Sequence, residues 1–224
     1  FRIYADKNNK PAEYSKDNVP FTPKHFLPIS VKDIKENDFT FVFGFPGRTN
    51  EYLPSVAIEK IITDTNPARI EVRDIALKTL DEKMRADDAT RIKYASKYAS
   101  VANYWKKWIG ETKGLKKSNA VAKKQAYESS LVAKNSEIKT SLDEFKKLYD
   151  QQAPYALNNA YYSEILRNAE TLTLANLYYT FVQNYEAGKV DNKTVQGFTN
   201  RLSGLYKDYD GELDAKVTAT LLAL

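Results

Sequence analysis

The 224-residue chain has no cysteine, which excludes disulfides, thiolate zinc sites and a cysteine nucleophile but is compatible with any compartment. Histidine is almost as scarce. His25 stands alone, so this sequence cannot by itself assemble a His-based triad or a His-rich metal site. Serines occur, but none has the glycine-flanked setting of an oxyanion loop. Apolar runs stay well short of the roughly 20 residues that cross a bilayer, so no membrane span is expected. Tandem repeats are missing too. Nothing here asks for a cofactor or a metal, and none is expected.

What is present is 42% apolar and 28% charged, the composition of a soluble, globular chain. The net charge of +5 is a mild excess, but it is concentrated. Lysines 106, 107, 113, 116, 117, 123 and 124 face a single acid, Glu111. Such a run suits either a solvated face or an anionic partner. No nucleic-acid motif accompanies it, so a solvated face is read and no nucleic-acid partner is expected. Both ends read as cut: "FRIYA" opens in alternating apolar residues and "LDAKVTATLLAL" closes in an apolar helical run. The chain is therefore expected to be an internal segment of a longer protein.

Two periodicities divide it. Residues 1–54 read as a β segment, with five of the eight prolines before residue 50. "FRIYA" is a strand leading to a turn at "KNNKP", and "NVPFTPKHFLPIS" an extended connector. "FTFVFGF" puts Phe39, Phe41, Phe43 and Phe45 on alternate positions, the period of a strand. Arg48 and Thr49 are read as fixing the turn after it. Residues 55–224 switch to helical spacing and are expected to form an antiparallel helical array, giving a mainly α chain. Asn66-Pro67 reads as a helix start with Ile70, Leu77, Leu80 and Met84 on one face. Asp87 or Asp88 caps the next helix, where Tyr94, Tyr98, Val101, Trp105 and Trp108 recur at three and four. Another helix begins near Ser118. Ile138, Leu142, Phe145 and Tyr149 lead to a break or kink at Pro154. Tyr161, Ile165, Leu172, Tyr179 and Val182 form a stripe ending near Gly188, followed by Val195, Phe198, Leu202, Leu205 and Tyr209. A last helix starts after Gly211. These stripes are read as core rather than as a cofactor box.

"YASVANYWKKWIG" places Asn103 in mid-helix, where asparagine is a poor helix former because its side chain competes for backbone hydrogen bonds. On a 100° wheel it lies opposite Val101, grouped with Ile92, Ser96 and Ala99. One face is heavy and aromatic, suited to burial. The other is mostly small, suited to close approach by a chain or ligand. The residues alone leave two roles open for Asn103, a helix–helix hydrogen bond or a ligand contact.

Through "FRIYADKNNKPAEYSKDNVPFTPKHFLPIS", "FVFGFPGRTNEYLPS" and "SVANYWKKWIGE", in that order, the chain resembles a bacterial family of serine dipeptidyl-peptidases of the seven and eleven types. The resemblance implies a chymotrypsin-like double β-barrel whose second lobe is interrupted by a large helical domain. Residues 1–54 would then hold the end of the first lobe, the connector and the first strand of the second, and residues 55–224 a helical cap. It implies a full-length exopeptidase that releases dipeptides from oligopeptides with a free N-terminus. Its triad would lie outside these residues, so that the segment alone is inactive. It further implies a periplasmic or cell-envelope setting and a homodimer. In the matching "NYW" motif, an Asn of the helical domain binds the substrate's free amino group, which assigns that role to Asn103. Its Oδ1 accepts from the ammonium while an acid from outside the segment balances the charge. The competing expectation, from another class, is a non-catalytic helical interaction module.

Overall fold

The computed structural model describes residues 2–41, 43–44, 47 and 50–224. By compactness the chain falls into two units, Phe1–Thr49 and Asn50–Leu224. In the first, β1 (Tyr4–Ala5) and β2 (Val19–Pro20) pair antiparallel, with Tyr4 opposite Pro20 and Ala5 opposite Val19. The "KNNKP" turn forms around Asp6, whose Oδ1 accepts from the amides of Asn8 (2.8 Å) and Lys10 (2.9 Å). Asp favours turns for this reason. Asn9 adopts φ 62°, tolerated by a short polar side chain, and exchanges hydrogen bonds of 2.7 and 2.8 Å with the Thr22 backbone. The connector beyond carries no regular structure, and His25 lies exposed in it.

The phenylalanine run differs from the expected strand. Phe39, Phe41 and Phe43 are exposed and outside any strand, while Val42, Phe45, Pro46, Arg48 and Thr49 lie outside the described residues. A strand is held by a hydrogen-bonded neighbour. Among the described residues no backbone pairs with this run.

The second unit is helical. It contains α1 (Ser55–Lys60), α2 (Asn66–Ala86), α3 (Asp88–Lys117), α4 (Ala120–Lys134), α5 (Glu137–Asn168), α6 (Glu170–Glu186), α7 (Asn192–Lys207) and α8 (Gly211–Leu222). Asn66-Pro67 opens α2 with the proline in its first turn, as expected, but Asn66 is not a side-chain cap and no loop precedes it. The chain is already helical from Ser55 and passes through a π turn, Ile61–Thr65, into α2. Proline has no N–H to give the preceding turn, and the wider turn absorbs the defect, with the Asn66 amide reaching back to the Ile61 carbonyl. The buried Asn66 side chain instead donates to Glu111 Oε2 and Thr112 Oγ1 on α3, both at 3.1 Å. Pro154 likewise sits within α5 without breaking it. Pro154 and Asp150 are both exposed residues, on the outer side of α5. The expected stripe from Tyr161 to Gly188 is two helices, parted at the fully buried Ala169, which is extended.

The core gathers Val72, Ala76 and Leu80 of α2, Tyr94 of α3, and Leu213, Val217 and Leu221 of α8, with Tyr98, Tyr161 and Ile165 packed against it. Two helix starts are capped by carboxylates from distant helices. Glu128 of α4 accepts from the Ser55 amide and hydroxyl, both at 2.6 Å. Asp214 of α8 accepts from the amides of Glu170 (2.7 Å) and Thr171 (2.8 Å) and from the Thr171 hydroxyl. Each satisfies N–H groups that a helix start leaves bare.

α6 and α7 leave and rejoin the core at points pinned to α3. Lys97 Nζ donates to both Glu170 oxygens (3.0 and 2.8 Å) and to the Asp208 carbonyl (2.8 Å), and stands 4.2 Å over the Tyr94 ring. The Tyr94 hydroxyl accepts from the Asp210 amide at 3.0 Å. Burial pushes the Tyr94 phenol well above the ordinary range, the Asp210 amide acting against it and the charge of Glu170 adding to it.

Two outcomes follow for the full-length protein. Leu221→Ala, at a fully buried core position, costs about 2–5 kcal/mol in denaturant unfolding. Because the folded state holds the Tyr94 proton more tightly, its contribution is intact below the ordinary phenol value of 10.0 and is lost as pH climbs above it. Tyr94→Phe costs about 1 kcal/mol at neutral pH, through the unpaired Asp210 amide, and flattens the stability profile on the alkaline side.

Candidate functional site

α3 owes its place to its start. Asp87 accepts from the amides of Ala89 (3.3 Å) and Thr90 (2.8 Å), which holds its carboxyl below the usual carboxylate range, the Thr90 hydroxyl contributing most. From there the helix turns Tyr94, Ala102 and Trp108 into the protein, with Tyr98, Val101 and Trp105 half-buried. Asn103 is on the opposite side. It is exposed, as are Ile92, Ser96 and Ala99. Among the described residues its side chain makes no hydrogen bond, so Oδ1 and Nδ2 are both open to a ligand.

Behind this stretch sits a group that sequence reasoning missed. Arg73 of α2 reaches between α3 and α5. Its Nε donates to Glu164 Oε2 at 2.6 Å, and its Nη1 to the Val101 carbonyl at 3.0 Å. Its guanidinium carbon stands 5.4 Å from the Tyr104 ring centre and 4.9 Å from that of Trp108. The two rings are themselves 5.6 Å apart. The only sequence signal was a charge on each apolar stripe, Arg73 beside Val72 and Glu164 between Tyr161 and Ile165.

A groove of about 590 Å³ runs between α3 and α7; Tyr104 lines it, and its neighbour Asn103 does not. Ser96, Ser100 and Tyr104 line one wall, Arg201 and Leu205 the other, and Lys97 with Glu170 closes one end. The lysine cluster borders a hollow of its own, about 660 Å³, where Lys113, Lys116 and Lys117 meet Ile70, Ile109 and Thr112. Lys107 pairs with Glu111 at 3.0 Å and Lys124 donates to the Glu51 carbonyl at 3.1 Å, while Lys106, Lys113, Lys116, Lys117 and Lys123 stand exposed. Among the described residues no helix is long and apolar enough to cross a membrane.

Comparison with known proteins places this geometry. An Asp/Glu-specific dipeptidyl-peptidase of Flavobacterium psychrophilum is 46% identical over 100% of the chain. The dipeptidyl-peptidase 7 of Porphyromonas endodontalis is 39% identical over 99% of it. The chain spans 33% and 27% of their respective lengths. The crystal structure of Porphyromonas endodontalis DPP11 in complex with the dipeptide Arg-Glu superposes with a TM-score of 0.70 at 26% identity, covering 99% of this chain and 33% of that one. The two-strand, mainly helical fold is thus that of a DPP11 segment. The family model for peptidase S46 matches residues 1–224, so the chain belongs to the peptidase S46 family.

Proposed function

We propose that the chain is part of a serine dipeptidyl-peptidase that releases dipeptides from the free N-terminus of oligopeptides, and that its helical unit binds the substrate's amino group through Asn103. The observation that carries the reading is the Asn103 amide itself. It is a poor helix former in mid-helix, exposed, and without a side-chain partner among the described residues. An ammonium has three donors and no acceptor, so it takes Oδ1, leaving Nδ2 to donate elsewhere. Asn is neutral, and the balancing acid comes from another part of the enzyme.

An anchored amine measures the product. Two extended residues span at most about 7 Å, so an ammonium held that far from a nucleophile leaves the second peptide bond in register. Helices over the amine also shut out longer N-terminal extensions. The segment therefore acts as lid and ruler, and such positioning contributes several kcal/mol without chemistry at the residue. The reacting serine, histidine and aspartate belong to other parts of the enzyme, so the segment alone turns nothing over. A periplasmic or cell-envelope enzyme that works as a homodimer fits the same reading.

Asn103→Ala in the full-length enzyme tests it. A hydrogen bond to a charged group is worth about 1.5–3 kcal/mol, so kcat/KM on free-amine dipeptidyl substrates falls about 10- to 100-fold. Stability holds or rises by about half a kcal/mol, because alanine is the better helix former at an exposed site. Loss of stability with unchanged kinetics contradicts the reading and assigns Asn103 to packing.

A further inference from the structure

Asn103 has no side-chain hydrogen bond among the described residues, so the backbone of α3 alone sets where its amide stands. That backbone is gripped from inside at neighbouring points. Arg73 Nη1 donates to the carbonyl of Val101, two residues before Asn103. The same guanidinium lies against the rings of Tyr104, the next residue, and of Trp108. Its Nε is held by Glu164 of α5, whose backbone carbonyl in turn accepts from Asn168 Nδ2 at 2.7 Å. One arginine thereby ties α2, α3 and α5 together directly beneath the exposed amide.

Stability alone does not account for charges in this place. The Arg73 and Glu164 side chains are 4% and 7% exposed, and burying such a pair commonly gains nothing over apolar side chains of the same volume. What the pair adds is direction. The guanidinium fork is planar and fixed, so it satisfies the carboxylate and the Val101 carbonyl together in a narrow set of helix positions. We infer that Arg73 and Glu164 are positioning residues for amine recognition, locking the Val101–Trp108 stretch of α3 so that Asn103 meets the substrate's ammonium. The inference rests on the reading of Asn103 given above.

The test is made in the full-length enzyme. The double variant Arg73→Met/Glu164→Leu removes both charges at similar volume and leaves neither stranded. It is expected to keep a Tm near that of the wild type. Its KM for free-amine dipeptidyl substrates rises on the order of 10-fold, with kcat changed less, because a misplaced anchor weakens binding geometry. Its preference for free-amine over N-acetylated substrates shrinks. Arg73→Lys is the second variant. It keeps the charge opposite Glu164 but lacks the fork, and it reproduces the rise in KM. Either variant, folded and with KM and amine preference unchanged, overturns the inference. Asn103→Ala assayed beside them separates the two ideas. If it keeps the amine preference, the reading of Asn103 fails. If it loses the preference while the Arg73 variants do not, only the positioning role fails.

Discussion

A guanidinium at the meeting point of three helices is the constraint around which the helical unit is arranged. Removed from water, Arg73 needs a full set of partners, since an uncompensated buried charge is far costlier than a paired one. It finds Glu164 on α5, the Val101 carbonyl on α3, and the faces of Tyr104 and Trp108. None of these comes from its own helix. The set closes only when α2, α3 and α5 stand in one register, and the apolar core of Val72, Ala76, Tyr94 and the α8 leucines packs beside it in that register.

The same economy governs the rest of the unit. Polar side chains at helix junctions connect elements far apart in sequence: Glu128 to the start of α1, Asp214 to the start of α6, Lys97 to both ends of the α6–α7 excursion. These contacts satisfy bare helix ends and fix where helices begin. They leave the outer side of α3 unclaimed. An exposed asparagine on a helix so firmly backed is suited to hold a charged ligand group at a set place, as the proposed amine role requires.

Local signals made much of this legible in the sequence. Asp87 caps α3 through its own neighbours, the last helix expected after Gly211 begins at Gly211 itself, and the three-and-four spacing of Tyr94, Tyr98, Val101, Trp105 and Trp108 marks the inward face of α3. Asn103 stood out because its residue type conflicts with its place. Several readings that differed turn on partners distant in the chain. Asn66-Pro67 opens α2 as its local pattern says, but the Asn66 side chain, expected to cap the helix, is taken by Glu111 and Thr112 instead. The break at Ala169 is set by Asp214, forty-odd residues away, and has no local mark. Phe39, Phe41 and Phe43 have the period of a strand but, among the described residues, no neighbour to pair with. Arg73 and Glu164 were invisible for the same reason, since each alone reads as a solvated charge.

The central claim is that a peptide's amino group docks on Asn103 while α3 is held from behind. A crystal structure of the whole enzyme with a bound dipeptide addresses it most directly. The account predicts the ammonium nitrogen at about 3 Å from Asn103 Oδ1, with the Arg73–Glu164 contact intact beneath. An ammonium bound elsewhere, with the Asn103 amide facing only water, contradicts it.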